Sequence, residues 1–84
     1  MQGGQMKPGA YMLINVATGS ELQVAEDLRK IDGISGVRVV TGLHDVICYV
    51  EAETIEALKE EIIEQLRKVP GIQRTITCIA LNTY

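Results

Sequence analysis

Five consecutive residues, Thr41, Gly42, Leu43, His44 and Asp45, bring together a hydroxyl, an open stretch of backbone, an imidazole and a carboxylate. A glycine has no Cβ in front of its neighbouring N–H groups, so such groups can approach and hold a carboxylate. The Asp45 side chain suits an ammonium group. The stretch could therefore hold a small zwitterion. The same residues also make an ordinary turn in which Asp accepts from nearby backbone N–H groups. Both readings stay open on the residues alone. His44 is the sole histidine. No second ligand or orienting group is identifiable around it, so a pocket wall or a solvent-edge position is a plainer reading than a catalytic base or metal ligand.

The elements that must position these residues are short. Apolar, β-branched runs at 37–41 and 45–51 predict two strands joined by a hairpin with Gly42 at its tip. Residues 10–16 alternate as a first strand, with Tyr11, Leu13 and Asn15 opposing Met12, Ile14 and Val16. Thr18 and Glu21 have the spacing of a capping box, and Leu22, Ala25 and Leu28 predict a helix ending near Lys30, with Gly33 as its left-handed stop. Thr54 is placed to cap a second helix whose stripe is Ile55, Leu58, Ile62, Leu66 and Val69. Pro70 and Gly71 end it, and 72–81 predicts a last strand.

A gapless internal repeat organises these elements. The segment 24–34 aligns on 62–72, with Glu26/Glu64, Leu28/Leu66, Arg29/Arg67, Lys30/Lys68, Gly33/Gly71 and Ile34/Ile72 identical. Two copies of helix, stop and strand imply two right-handed βαβ units, and interleaving them gives a ferredoxin-like βαββαβ sandwich of the α+β class. Strands one and three should lie in its middle, with both helices on one face. Such a sheet normally alternates apolar inside with polar outside. Here both sets are apolar, which predicts a bare greasy face and a dimer packed sheet to sheet.

Composition narrows the function. A chain of 84 residues with 46% hydrophobic residues, no Trp and no Phe builds one small aliphatic core. Residues 10–84 are expected to form a single domain behind a flexible lead-in at 1–9. The net charge of −3 disfavours direct DNA or RNA contact. No run reaches membrane-spanning length. Cys48 and Cys78 lack metal-ligand or redox spacing and read as buried small hydrophobes. The topology sets them on strands ~9–10 Å apart, beyond the ~7 Å a disulfide bridges. No cofactor or metal is expected, and a reduced, cytoplasmic protein is.

The strand-one-to-helix run through Ile31, Asp32, Gly33 and Ile34, the tip Val39, Val40, Thr41, Gly42, Leu43, His44, Asp45, and the ending Val69, Pro70, Gly71, Ile72, Gln73, Arg74, Thr75, Ile76, Thr77 together resemble the effector-binding domain of the Lrp/AsnC transcription regulators, the RAM (regulation of amino acid metabolism) domain. The resemblance covers nearly all of the chain from Ala10 and includes no helix-turn-helix. It implies a dimeric α/β barrel, assembly of dimers into an octamer or decamer, and a free amino acid effector bound where dimers meet. It implies a ligand site at Thr41, Gly42, Leu43, His44, Asp45, Thr75 and Thr77. Tyr is common in the family where His44 stands, which leaves the ligand's side chain open. The expectation is a non-enzymatic amino-acid sensor that modulates full-length Lrp/AsnC regulators. A small dimeric α/β-barrel enzyme of monooxygenase or isomerase type is the alternative.

Overall fold

The computed structural model describes residues 7–82, so part of the expected lead-in, 1–6, lies outside the described residues. The strand β1, Gly9–Val16, leads to helix α1, Glu21–Arg29, then strands β2, Ile34–Val39, and β3, Val46–Glu51. Helix α2 follows over 55–67, with α-helical turns Ile55–Ala57 and Glu64–Arg67 flanking a π-helical stretch, Leu58–Ile63. Strand β4, Ile72–Ile79, completes an antiparallel sheet ordered β2-β3-β1-β4. This is the expected ferredoxin-like arrangement, with β1 and β3 central.

The alternation in β1 and β3 assigns the two faces. Ala10, Met12, Ile14 and Val16, with Val46, Cys48 and Val50, are buried against Val24 and Leu28 of α1 and Leu58, Ile63 and Leu66 of α2. The opposite face carries Tyr11, Leu13, Ile47, Tyr49 and Ile76, of which Tyr11 is 55% and Ile76 41% exposed. The rings of Tyr11 and Tyr49, a cross-strand pair, stand 4.9 Å apart between centroids.

Several local expectations shift. Thr18 and Glu21 do not close a capping box: Ser20 occupies the N-cap of α1 without a side-chain bond, because Gly19, at φ 87°, turns the chain first. Val24 and Leu28, four residues apart, fix the inward face of α1 and leave Leu22 76% exposed. Strand β2 begins at Ile34 and not at 37, since Gly33 turns the chain directly into the sheet, and Gly36, at φ 60°, accommodates an irregularity between Ser35 and Arg38. Strand β3 starts one residue late, at Val46, and β4 ends at Ile79. Pro8 O accepts from Ala52 N at 3.1 Å, which holds residue 8 at the start of β1. Thr54 does cap α2, its hydroxyl accepting from Ala57 N at 3.0 Å. The π stretch buries Ile63, rather than Ile62, between Leu58 and Leu66 of that helix. Cys78 is exposed, not buried, because β4 is an edge strand and Cys78 pairs with Tyr11 on the open face. Both cysteines are free, on opposite faces with β1 between their strands.

Candidate functional site

The connection between β2 and β3 is a wide loop. Val39 pairs with Val46, Val40 N donates to Asp45 O at 2.9 Å, and 41–44 form the tip. Gly42 has φ 113°, and a Cβ there would meet nothing within 4 Å, so glycine is required by the backbone angle and not by space. Thr41 and Gly42 are exposed, and Leu43 is 89% exposed.

The tip is tied to the end of β1. Asp45 N donates to Ile14 O, and the Asp45 Oδ2 carboxylate oxygen accepts from Val16 N, each at 2.9 Å. That carboxylate takes the N–H next to the point where β1 changes register against β4, between Asn15 and Val16. Asn15 supplies a second clamp: its Nδ2 donates to Leu43 O at 2.8 Å, and its Oδ1 lies 3.3 Å from His44 Nδ1. Asn15 was not singled out by sequence reasoning. Its signal is a lone amide, poorly suited to a strand, closing an otherwise apolar run on the open face.

The expected site residues fall in two places. Thr41 to Asp45 sit at the β2–β3 end of β1. Thr75 and Thr77 lie on β4, opposite Ile14 and Met12, both buried under the helices, so the two threonines stand on the helix side of the sheet. Thr77 lines a groove of about 360 Å³ with Lys59, Ile63, Glu64, Arg67 and Ile79. Within one protomer β1 separates the tip from the threonines.

Elsewhere the electrostatics are mild. Among the described residues no group of His, Cys, Asp and Glu could hold a metal ion. Burial pushes the Cys48 thiol up to about 11, which keeps it protonated and unreactive at neutral pH. The Glu53 carboxylate, 2.9 Å from Lys7 Nζ, raises that ammonium above its ordinary value. No helix of the described residues is long and apolar enough to cross a membrane.

Comparison with known proteins bears on this geometry. The description "Lrp/AsnC ligand binding domain" matches residues 9–84. An uncharacterised HTH-type transcriptional regulator of Pyrococcus furiosus is 34% identical over 77 residues, covering 88% of this chain and 51% of the relative. The HTH-type transcriptional regulator FL11 of Pyrococcus abyssi is 31% identical over 75 residues, covering 89% and 49%. The chain thus spans about half the length of the curated relatives it matches. Among solved structures, the hypothetical protein PHS023 of Pyrococcus horikoshii superposes with a TM-score of 0.81 at 36% identity, covering 92% of this chain and 93% of that one. The AsnC protein of E. coli shares the fold, with a TM-score of 0.83 at 19% identity over 99% of this chain and 62% of its own.

Proposed function

Because the chain belongs to the Lrp/AsnC ligand-binding domain family, we propose that it binds a free amino acid where copies of the domain meet and passes that binding on to full-length regulators of the family. The uncovered apolar face carries the reading. If Tyr11, Leu13, Ile47, Tyr49 and Ile76 each recover about half of the ~1.5–3 kcal/mol available from full burial, association gains several kcal/mol before its entropy cost. A second copy laid sheet to sheet closes a dimeric α/β barrel. Dimers then assemble into an octamer or decamer, and the tip of one protomer meets Thr75 and Thr77 of another.

The chemistry follows from the groups at that seam. Asp45 receives the α-ammonium group. Backbone N–H groups around Gly42 and a threonine hydroxyl receive the α-carboxylate. Leu43, apolar and exposed, walls the ligand's side chain. A site completed only by assembly makes the ligand shift the association equilibrium by its differential affinity. The domain acts by binding, in the cytoplasm, without catalysis or DNA contact of its own. The HTH-type relatives, about twice as long, support co-assembly with such regulators as the route to transcription.

Thermal shift against the twenty protein amino acids, read beside light scattering, tests this. At a hundredfold excess over Kd, one of them should stabilise the protein by about 2.7 kcal/mol. Asp45→Asn is the control, because it keeps an oxygen for Val16 N while removing the charge, and it should abolish the gain. A monomer indifferent to all twenty would end the proposal.

A further inference from the structure

The clamp between Asn15 and the tip decides which nitrogen of His44 carries the proton. Leu43 O can only accept, so the group of Asn15 that faces it at 2.8 Å must be the amide NH2. The Asn15 oxygen then faces His44 Nδ1 at 3.3 Å and can only accept in turn. Nδ1 must therefore be the donor, and in the neutral ring the lone pair is left on Nε2. Among the described residues Nε2 makes no hydrogen bond, and His44 is half-buried. The neighbouring Asp45 spends one oxygen on Val16 N and keeps the other.

We infer that Asn15 is a positioning residue that fixes the Nδ1–H tautomer of His44, so that the tip offers the Nε2 lone pair as an acceptor for an N–H donor of a ligand. The assignment of the tautomer stands on the clamp geometry. Its use in recognition rests on the proposed amino-acid site. A protonated α-amine supplies such a donor, and the corresponding 2-oxo acid has none at that position. Leaving a site's polar group unpaired is what rejects such an analogue.

His44 is the only histidine, so its two ring nitrogens can be assigned without ambiguity. Two-bond ¹H–¹⁵N correlation spectra are recorded on the ligand-free protein at a pH where the same signals show the ring to be neutral. Wild type should give a protonated, pyrrole-type Nδ1 and a bare, pyridine-type Nε2. Asn15→Ala should revert toward the Nε2–H form favoured by a free histidine side chain. Asn15→Asp should restore the Nδ1 proton, since a carboxylate accepts from it, while losing the bond to Leu43 O. An Nε2–H ring in wild type overturns the tautomer assignment and needs no variant to fold; an unchanged Nδ1–H ring in Asn15→Ala overturns the positioning role of Asn15.

The recognition half is read separately. Titration with whichever of the twenty amino acids stabilises the protein should shift the Nε2 signal and leave Nδ1 nearly fixed, and its 2-oxo acid should bind at least about tenfold more weakly. Binding that leaves Nε2 unmoved removes His44 from recognition. If no amino acid binds, the functional proposal fails while the ligand-free spectra still decide the tautomer.

Discussion

The two copies of the repeat fold differently where they should match. In α1 the buried residues Val24 and Leu28 are four apart, as an α-helix requires. In α2 the buried sequence is Leu58, Ile63 and Leu66, because the π stretch inserts a five-residue step before the spacing tightens again. Val24 is fully buried, whereas its counterpart Ile62 is only half-buried and Ile63 has taken the inward place. Beyond that point the copies agree. Leu28 and Leu66 are both fully buried, and the surface pairs Glu26–Arg29 and Glu64–Arg67 recur at 3.1 and 3.7 Å. Each copy ends on a left-handed glycine whose carbonyl ties it to the end of a central strand or the residue just after it, Gly33 O accepting from Glu51 N and Gly71 O from Ala17 N, both at 2.8 Å. Sequence identity thus survives where the geometry is shared, and one extra residue in the turn is absorbed without disturbing the end of the helix.

The largest test of this contrast is a one-residue deletion in each helix. Removing Glu60, an exposed residue within the π stretch, converts the five-residue step to four and leaves a continuous α-helix. Removing Glu26 instead rotates Leu28 out of the core, at a cost of about 3 kcal/mol or more. Urea unfolding should show the Glu60 deletion losing less than about half as much. Equal losses would mean that the π turn is needed for packing.

Alanine at the two stop glycines sharpens the shared part. A Cβ at Gly33 meets the backbone Glu51 O at 2.9 Å, whereas one at Gly71 meets the Val24 Cγ2 methyl at 3.0 Å. Both φ values, 93° and 97°, are strained for alanine. A side chain can move aside and a strand carbonyl cannot. Gly33→Ala should therefore cost about 3 kcal/mol and Gly71→Ala about 2, measured by the shift in denaturation midpoint.

The two cysteines carry the comparison to the sheet faces. Cys48 titrates at about 11 in the fold against an ordinary 9.0. The folded value is the higher, so this contribution is complete below pH 9 and is lost as pH rises toward 11, when only the unfolded chain has released its proton. The loss should be at most about 2.7 kcal/mol. Stability curves of Cys48→Ala should fall less steeply above pH 9 than those of Cys78→Ala; parallel curves would show that Cys48 meets water. A soluble alkylating reagent should spare Cys48 throughout and label Cys78 in the monomer, with Cys78 shielded once a second copy covers the open face.

The smallest expected difference is between the caps. Thr54→Ala removes the bond to Ala57 N and should cost about 1 kcal/mol, while Ser20→Ala, with no cap bond to lose, should cost only a few tenths.

Much of the fold was legible because its signals are local. Strand alternation, the Thr54 cap and the stops at Gly33 and Gly71 each depend on residues a few places apart, and the repeat then ordered the strands. The helix faces were read less well. Leu22 and Ile62 have the right character for burial, but the rotation of each helix is set by contact with the sheet. The tip was legible as a loop of chemical groups, and its attachment was not: the bonds from Asn15 to Leu43 and His44, and from Asp45 to Val16, join residues 28 or 29 positions apart.

By itself, then, the sequence determined the order of elements, the central pair of strands and the doubly apolar sheet, because periodicity and glycine geometry act over a few residues. Tertiary structure alone decided that Ile63 displaces Ile62, that Thr75 and Thr77 stand on the helix side away from the tip, and that Asn15 orients His44. Those outcomes depend on which surfaces close on one another, and a chain encodes that only through contacts it makes after folding.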